Sequence, residues 1–487
     1  VFAASFISSR RRVPCVGKFI AMRPNRISLV AELMDRLASP GYAEFLDCLA
    51  AVVKSGSESL AVPHLRRALA ERDGDTRCKA AFALGEFGPA AAAARPELLQ
   101  AMACAEPRLR RLAIQTLARS GDSSDETLHA LMRSLSDGDA GVRRATAECL
   151  TTLPHDSPDV SRALAQVLDD ADASVALFGA EALLGDDREA VRAIGTLTRC
   201  LTHADPFVRR RAAIVLGECD RLPASALAAL EQALRDRDTY VCMEAAEALG
   251  RAGPAAEAAV PALIQLLHAT DPLVRRHAAQ AIGAIGPGAR AAAAQLLITL
   301  RDHDRGVGGQ AAIALGQIGA DRASVLPAMV ETLVDQDPSA TGCVIESIRR
   351  LGGTAVAIEH LTKKLGDGDA VIRRQAAAAL GQVGAEAAPA VPALVQLLQD
   401  RLDFLRRQAA FALAQIGPAA RDAVPALAAC LRDETPEVRF EAVHALAQIG
   451  AAAIVAEPAL RELLNDPSIA REAQDALLRV QEQEPTA

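Results

Sequence analysis

The sequence predicts an all-α, right-handed solenoid of about thirteen two-helix repeats, and three observations carry that prediction. The first is a fixed period. With Arg275 as reference, one register holds Arg77, Arg110, Arg143, Ala176, Arg209, Cys242, Arg275, Gly308 and Thr341, each 33 residues after the last. It continues at Arg373, Arg406, Arg439 and Ala470, with one slip of a residue and one of two. A period of this size marks units that bury their apolar faces only against their neighbours. The second observation is the pattern inside a unit, which reads as helix, turn, helix. The third is composition. Half of the residues are apolar, yet the chain has no Trp, 2 Tyr and 11 Phe. Alanine and leucine must therefore fill the interior, as thin stacked helices require.

The seventh repeat shows the local logic. Ala278, Ala281, Ile282 and Ile285 follow Arg275 at the spacing of one buried helical face. Asp271 stands where an N-cap belongs, and Pro272 occupies the first helical position, where a missing N–H costs nothing. Gly286 and Pro287 are expected to end the helix through a left-handed cap. The preceding helix, roughly 257–268, carries Val260, Leu263, Ile264 and Leu267, with Pro261 near its start. The same marks recur in register. An acidic cap stands four residues before the reference, from Asp73 to Asp369, with Asp337 among them. Leu or Ile stands seven after it in every repeat, and terminating glycines run from Gly88 to Gly450.

The pattern D-x-x-V-R-R-x-A-A-x-A-L-G-x-x-G resembles the HEAT-like repeats of the phycobilisome-lyase type, an armadillo-like helical fold, over about residues 58–480. Ankyrin repeats share the period, but their T-P-L-H-x-A signature is absent. The resemblance implies an α-solenoid that holds a protein or peptide on its concave face. It also implies an alternative: a lyase- or oxidoreductase-like factor that modifies proteins, similar to phycobilin lyases or to deoxyhypusine hydroxylase, another HEAT-repeat enzyme.

Around the array, residues 1–22 read as a disordered leader or as sequence ahead of a true start at Met22. Residues 1–21 hold Arg10, Arg11, Arg12 and Lys18 and no acid. Residues 23–57 read as a capping pair of helices broken at Ser39-Pro40-Gly41, and 481–487 as a polar tail.

Two sets of residues stand out within the repeats. At 100° per residue, the first Arg of each pair lies nearly in line with the buried position seven later, so its guanidinium needs a partner. The acidic caps repeat in step with it. Asp139 and Arg143, Asp205 and Arg209, Asp271 and Arg275, and Asp369 and Arg373 are therefore expected to form a structural ladder between repeats. The outward stripe of the second helices supplies the second set: Phe178, Glu181, Ile214, Glu247, His277, Gln280, Ile313 and Gln317. Apolar anchors among acidic and neutral side chains suit a protein or peptide partner. Gly308, Gly309 and Gly342 fall in first helical turns, where each costs roughly 1 kcal/mol against Ala, and a bend or a bare backbone surface would account for them.

Catalytic patterns are thin. The nine histidines include no His-Glu dipeptide and no H-E-x-x-H, unlike the paired His-Glu dyads implied for a deoxyhypusine hydroxylase. His155-Asp156 and His303-Asp304 sit in loops, where capping explains each Asp, and Gly283, Gly286 and Gly288 punctuate a helix end. No metal site and no cofactor are expected. A net charge of −8 fits a nucleic-acid backbone poorly. No run of eighteen apolar residues occurs, so no membrane span is expected. Ten scattered cysteines, with Cys149 and Cys219 on packed faces, read as small buried hydrophobes in a reducing cytoplasm. The expected particle is a monomer or one member of a complex. Far-UV circular dichroism should show helix without strand, and scattering should give a path on the order of 100 Å or more, from helix spacings of about 8–10 Å. A compact scattering profile contradicts the repeat reading.

Overall fold

The structure, a computed structural model, describes residues 26–481 except 72, 154–156, 336 and 337. The expected leader, a start at Met22, the Asp337 cap, the His155-Asp156 pair and nearly all of the 481–487 tail lie outside the described residues. Among the described residues every element is an α- or 3-10 helix and no strand occurs. The fold is an all-α solenoid. Its packing falls into two compact units, one up to Thr196 and one from Leu197.

Within the first unit, second helices Gly74–Glu86, Pro107–Ser120, Ala140–Thr152 and Ala173–Leu183 stack in order. Within the second, the series runs from Pro206–Gly217 through Pro272–Ile285 to Ala470–Gln481. Within each unit the core lies between successive second helices and the first helices packed on them, filled by Ala, Leu and Ile at repeating positions such as Leu263, Ala278, Ala281 and Ile282. The opening pair, Arg26–Leu37 and Tyr42–Ser55, is fastened to the first repeat by a buried lysine. The Lys79 ammonium donates to the Ser39 carbonyl at 2.6 Å and pairs with Asp75 at 2.8 Å.

The glycines after the second helices do more than stop them. Gly286 adopts φ 76° and ψ −142°, a region closed to side chains, and is not the left-handed cap expected; Gly121 is, at φ 71° and ψ 19°. Where the Gly286 type occurs, the chain bends into a 3-10 turn, here Gly286–Ala292, and the next repeat's α-helix starts only at Ala293. This bend also qualifies the expectation about membranes. The runs Pro272–Thr299, Ala370–Leu397 and Pro436–Asn465 are long and apolar enough to cross a bilayer by length and composition alone. Each is folded at a glycine into shorter helices. A fourteen-residue helix such as Pro272–Ile285 rises only about 21 Å, against roughly 30 Å of hydrocarbon.

Gly283 is not punctuation either. It lies inside Pro272–Ile285, where a Cβ would stand 3.0 Å from the Ala314 Cα of the next second helix. Gly250 meets Ala281, Gly217 meets Ala248 and Gly381 meets Ala412 in the same way, at 3.0–3.1 Å from Cα. Backbone-to-backbone approach at one repeating level sets the spacing of the second helices. Gly308 and Gly309 are buried within Arg305–Gln317, and a Cβ on Gly309 would meet only Cys343 at ordinary distance. Steric need does not explain Gly309.

The arginine ladder runs to different carboxylates from those expected. Arg275 donates from Nε and Nη2 to both oxygens of Asp302 at 2.7 Å, 27 residues on, not to the cap Asp271. Its Nη1 donates to the carbonyls of Ala269 and Thr270 at 2.8 and 3.0 Å. Arg110–Asp137, Arg143–Asp170, Arg209–Asp236 and Arg406–Asp433 repeat the bidentate geometry at 2.6–2.9 Å. Arg373–Asp400 is a single 3.2 Å contact, and Arg439–Asp466 spans 3.5 Å. The expected partners are occupied elsewhere. Asp139, Asp205, Asp271 and Asp369 accept the amides of Val142, Phe207, Leu273 and Val371 at 2.8–3.0 Å as N-caps. The carboxylate that takes the arginine stands two residues earlier, where it also accepts the cap residue's amide, as Asp302 does from Asp304 at 2.8 Å.

Burial pushes the Asp302 carboxyl up, but the Arg275 hydrogen bonds, the Asp304 amide and the Arg275 charge outweigh it and hold the group below its ordinary 3.8. At Asp433 the Arg406 hydrogen bonds are the leading influence, in the same downward direction. A carboxylate whose folded pKa is depressed contributes stability that is complete above about pH 4 and is lost as pH falls through the folded value. Asp302→Asn should therefore flatten the pH dependence of melting below about pH 4. Arg275→Ala should cost about 2–4 kcal/mol, against about 0–1 for exposed Arg276→Ala. Equal melting shifts for the two would contradict the ladder. Gly283→Val should cost about 1–3 kcal/mol by forcing two backbones apart.

Candidate partner-binding face

The surface with the clearest register is the outward line of the second helices. Steps of three and four residues keep positions two before, one after, five after and nine after the reference on one side of a helix. Asp403–Ile416 illustrates this: Phe404, Arg407, Phe411 and Gln415 are exposed, while Leu405, Ala409, Ala412 and Leu413 are buried.

The expected stripe is only partly on this surface. Phe178 is 7% exposed and belongs to the core, contrary to its expected role as an exposed anchor. The reason is local. With Ala176 and Leu177 replacing the arginine pair, Ala173–Leu183 is apolar on nearly all sides, and such a helix buries nearly its whole circumference. Val175 through Ala180 are all buried, and a Cβ on Gly179 would meet Val167 at 2.7 Å. Glu181, in the same first-unit helix, is half-buried.

The other six residues lie in the second unit. Ile214 and Ile313 are half-buried. Glu247 pairs with Arg251 at 2.7 Å within its own helix. His277 is half-buried, with a buried Nδ1 that has no hydrogen-bond partner. Gln280 and Gln317 are exposed, and Gln317 reaches over Gly283, where a Cβ would meet its Oε1. The stripe is thus mainly polar.

Large exposed apolar groups do stand elsewhere on the same face. Phe207, Tyr240, Leu273, Val371 and Phe404 are each about a third to a half exposed, and all occupy the position two before the reference. Sequence reasoning passed over them because it read the outward stripe only from positions after the reference. Their shared register in aligned repeats was the available signal. Arg210 stacks over the Tyr240 ring, with its guanidinium carbon 4.9 Å from the centroid, and pairs with Glu244 at 2.9 Å. Near the C-terminal end, Phe411 and Phe440 add two more exposed rings.

Reactive chemistry is sparse on this face. Among the described residues no group of three His, Cys, Asp or Glu is placed to hold a metal ion. Cys149 is buried, and desolvation pushes its thiol up to about 12; Cys219 is half-buried and also raised by burial. His303 lies in the loop where Asp302 takes Arg275 and Asp304 caps the next helix, so both flanking carboxylates are committed to structure.

The HEAT repeats pattern matches in overlapping segments at residues 62–151, 95–185, 161–249, 194–268, 227–307, 260–347, 293–381, 335–414 and 391–478. The chain belongs to the HEAT-repeat family. Among solved structures, Kap121p bound to Nup53p matches with a TM-score of 0.58 at 15% identity, over 93% of this chain and 56% of that one. The karyopherin Kap121p bound to the extreme C-terminus of the protein phosphatase Cdc14p matches with a TM-score of 0.56 at 16% identity, over 87% and 53%. This HEAT-repeat chain therefore spans little more than half the length of these solved chains, and the likeness is one of fold. No curated protein matches it in sequence.

The burial difference has a direct consequence. Phe178→Ser should lower stability by about 3–5 kcal/mol, while Phe411→Ser, removing a 37% exposed ring, should change it by less than about 1. Thermal or urea denaturation of the two variants checks this.

Proposed function

We propose that this HEAT-repeat chain is a non-catalytic scaffold that holds a protein or peptide partner on the outward face of its second helices, the concave side of the array. The observation that carries the reading is the row of exposed Phe207, Tyr240 and Leu273, in one register on consecutive repeats and interleaved with arginines. Isolated apolar side chains on a surface need no explanation, but a repeating row of large ones beside guanidinium groups has the composition of binding hot spots. The Kap121p structures, whose bound partners are proteins, support the reading by analogy of fold alone. The resemblance of the repeat's sequence pattern to the phycobilisome-lyase type adds no activity to this proposal. Free thiols, five of them buried among the described residues, fit a reducing compartment such as the cytoplasm.

The test is capture of partners from the native source by the tagged full chain, compared with the triple variant Phe207→Ser, Tyr240→Ser, Leu273→Ser. Partners identified with the parent should be lost by the triple, while its melting temperature stays close to the parent's because all three side chains are already exposed. Full retention of every partner would refute this face as the binding surface.

A further inference from the structure

The face is not chemically uniform, and its last three full repeats carry a more specific feature. Phe404, Phe411 and Phe440 are 36%, 37% and 46% exposed and lie on two second helices that pack side by side, Asp403–Ile416 and Pro436–Ile449. Arg407 is exposed between Phe404 and Phe411 on the same side of its helix, since it follows the first by three residues and precedes the second by four. A cleft of about 270 Å³ brings Arg407 together with Phe440, Arg439, Glu441 and Ile469.

The charges around Arg407 are mostly committed. Arg439 spends its guanidinium on Asp466 at 3.5 Å and on the carbonyls of Asp433 and Glu434. Asp403 accepts the Phe404 amide at 2.8 Å. Glu441, which lines the same cleft as Arg407, is half-buried and lies 3.9 Å from His444; burial pushes its carboxyl up, and the charges of His444 and Arg407 draw it down. Arg210, at the same register in the fifth repeat, has both a carboxylate and an aromatic ring. Among the described residues Arg407 has no carboxylate within ion-pair distance. The exposed Arg374, one repeat earlier in the same position, is in the same condition, beside half-exposed Val371.

We infer that the Phe404, Arg407, Phe411 and Phe440 patch docks a peptide segment in which a carboxylate is flanked by aromatic or aliphatic side chains. The guanidinium offers a planar fork that matches a carboxylate, and a peptide that covers the neighbouring phenyl rings on docking would shield the pair from water and strengthen it. The rings supply rigid apolar contact of the kind that anchors interfaces. A basic segment would instead have to use Glu437 and Glu441 against the field of Arg407 and Arg439. This inference rests on the protein-binding reading above and narrows it to one partner chemistry at one place.

Calorimetric titration of the full chain with three blocked peptides decides it: one alternating glutamate with phenylalanine and leucine, one with lysine in place of each glutamate, and one with alanine in place of the apolar residues. The acidic apolar peptide should bind at least roughly tenfold more tightly than either control. Arg407→Glu should lose that preference and favour the lysine peptide, and Phe411→Ser with Phe440→Ser should weaken the acidic peptide by roughly tenfold or more while the helical melting curve is kept. Equal binding of acidic and lysine peptides, or an unchanged affinity in Arg407→Glu, overturns the inference. If Arg407→Glu and the double serine variant still capture every native partner lost by the Phe207, Tyr240 and Leu273 triple, this inference falls while the scaffold reading stands.

Discussion

One arginine reaching 27 residues forward holds successive repeats in register. In Arg275 the fork takes both oxygens of Asp302 while the remaining nitrogen takes two carbonyls of its own inter-helix loop. A single side chain thereby fixes two loops at once, with the directionality of a bidentate pair. The arrangement is economical because the same carboxylate also shapes its turn, through the amide two residues on, and the next carboxylate caps the following helix. Substitutions show how tightly the parts depend on each other. Cys242 replaces an arginine where Ala269 replaces its carboxylate, and the Cys242 thiol donates instead to the Asp236 carbonyl at 3.1 Å. Arg77 faces a repeat that has Cys104 in the partner position, and it donates to the Leu69 carbonyl at 3.0 Å.

The link acts at the loop end of the helices, and close contact of small residues acts in their middle. Gly250 and Gly283 bring neighbouring backbones to a distance at which even a methyl group would crowd the next Cα. With alanine across the seam, each repeat gains many weak contacts in place of a few large side chains. Burial per repeat is correspondingly modest, so register depends on polar geometry at the loops and stability on summing over neighbours. The outward sides of the same helices are released from packing, and a surface of Phe, Arg and Gln can vary from repeat to repeat without disturbing the seam.

The repeat, the helix pairs and the buried Ala and Leu positions were legible in the residues, because a 33-residue period and a 3.6-residue turn leave few ways to bury those side chains. The candidate face was legible only in outline. Helical angle identifies which residues point away from a helix's own buried stripe, which located Gln280 and Gln317 correctly on the exposed side. The same reasoning failed at Phe178, since a helix apolar on several sides is buried on several sides. Phe207 and Tyr240 stand two before the reference, ahead of the positions from which the stripe was read.

What the sequence determined by itself is local: where helices start, which stripe is apolar, and that a guanidinium recurs near the core and must be paired. Which carboxylate pairs with it was decided by the tertiary structure. Asp271 is four residues from Arg275 and Asp302 is 27 away, but the nearer group is drawn to the amides of its own helix, and stacking carries the farther one to the guanidinium. Likewise a glycine reads the same in a string of letters whether it bends the chain, as Gly286 does with φ 76°, or admits a neighbouring backbone, as Gly283 does. Periodicity describes directions about one helix axis, whereas pairing, close approach and exposure depend on how the next helix is offset along its neighbour, and that offset exists only in the assembled stack.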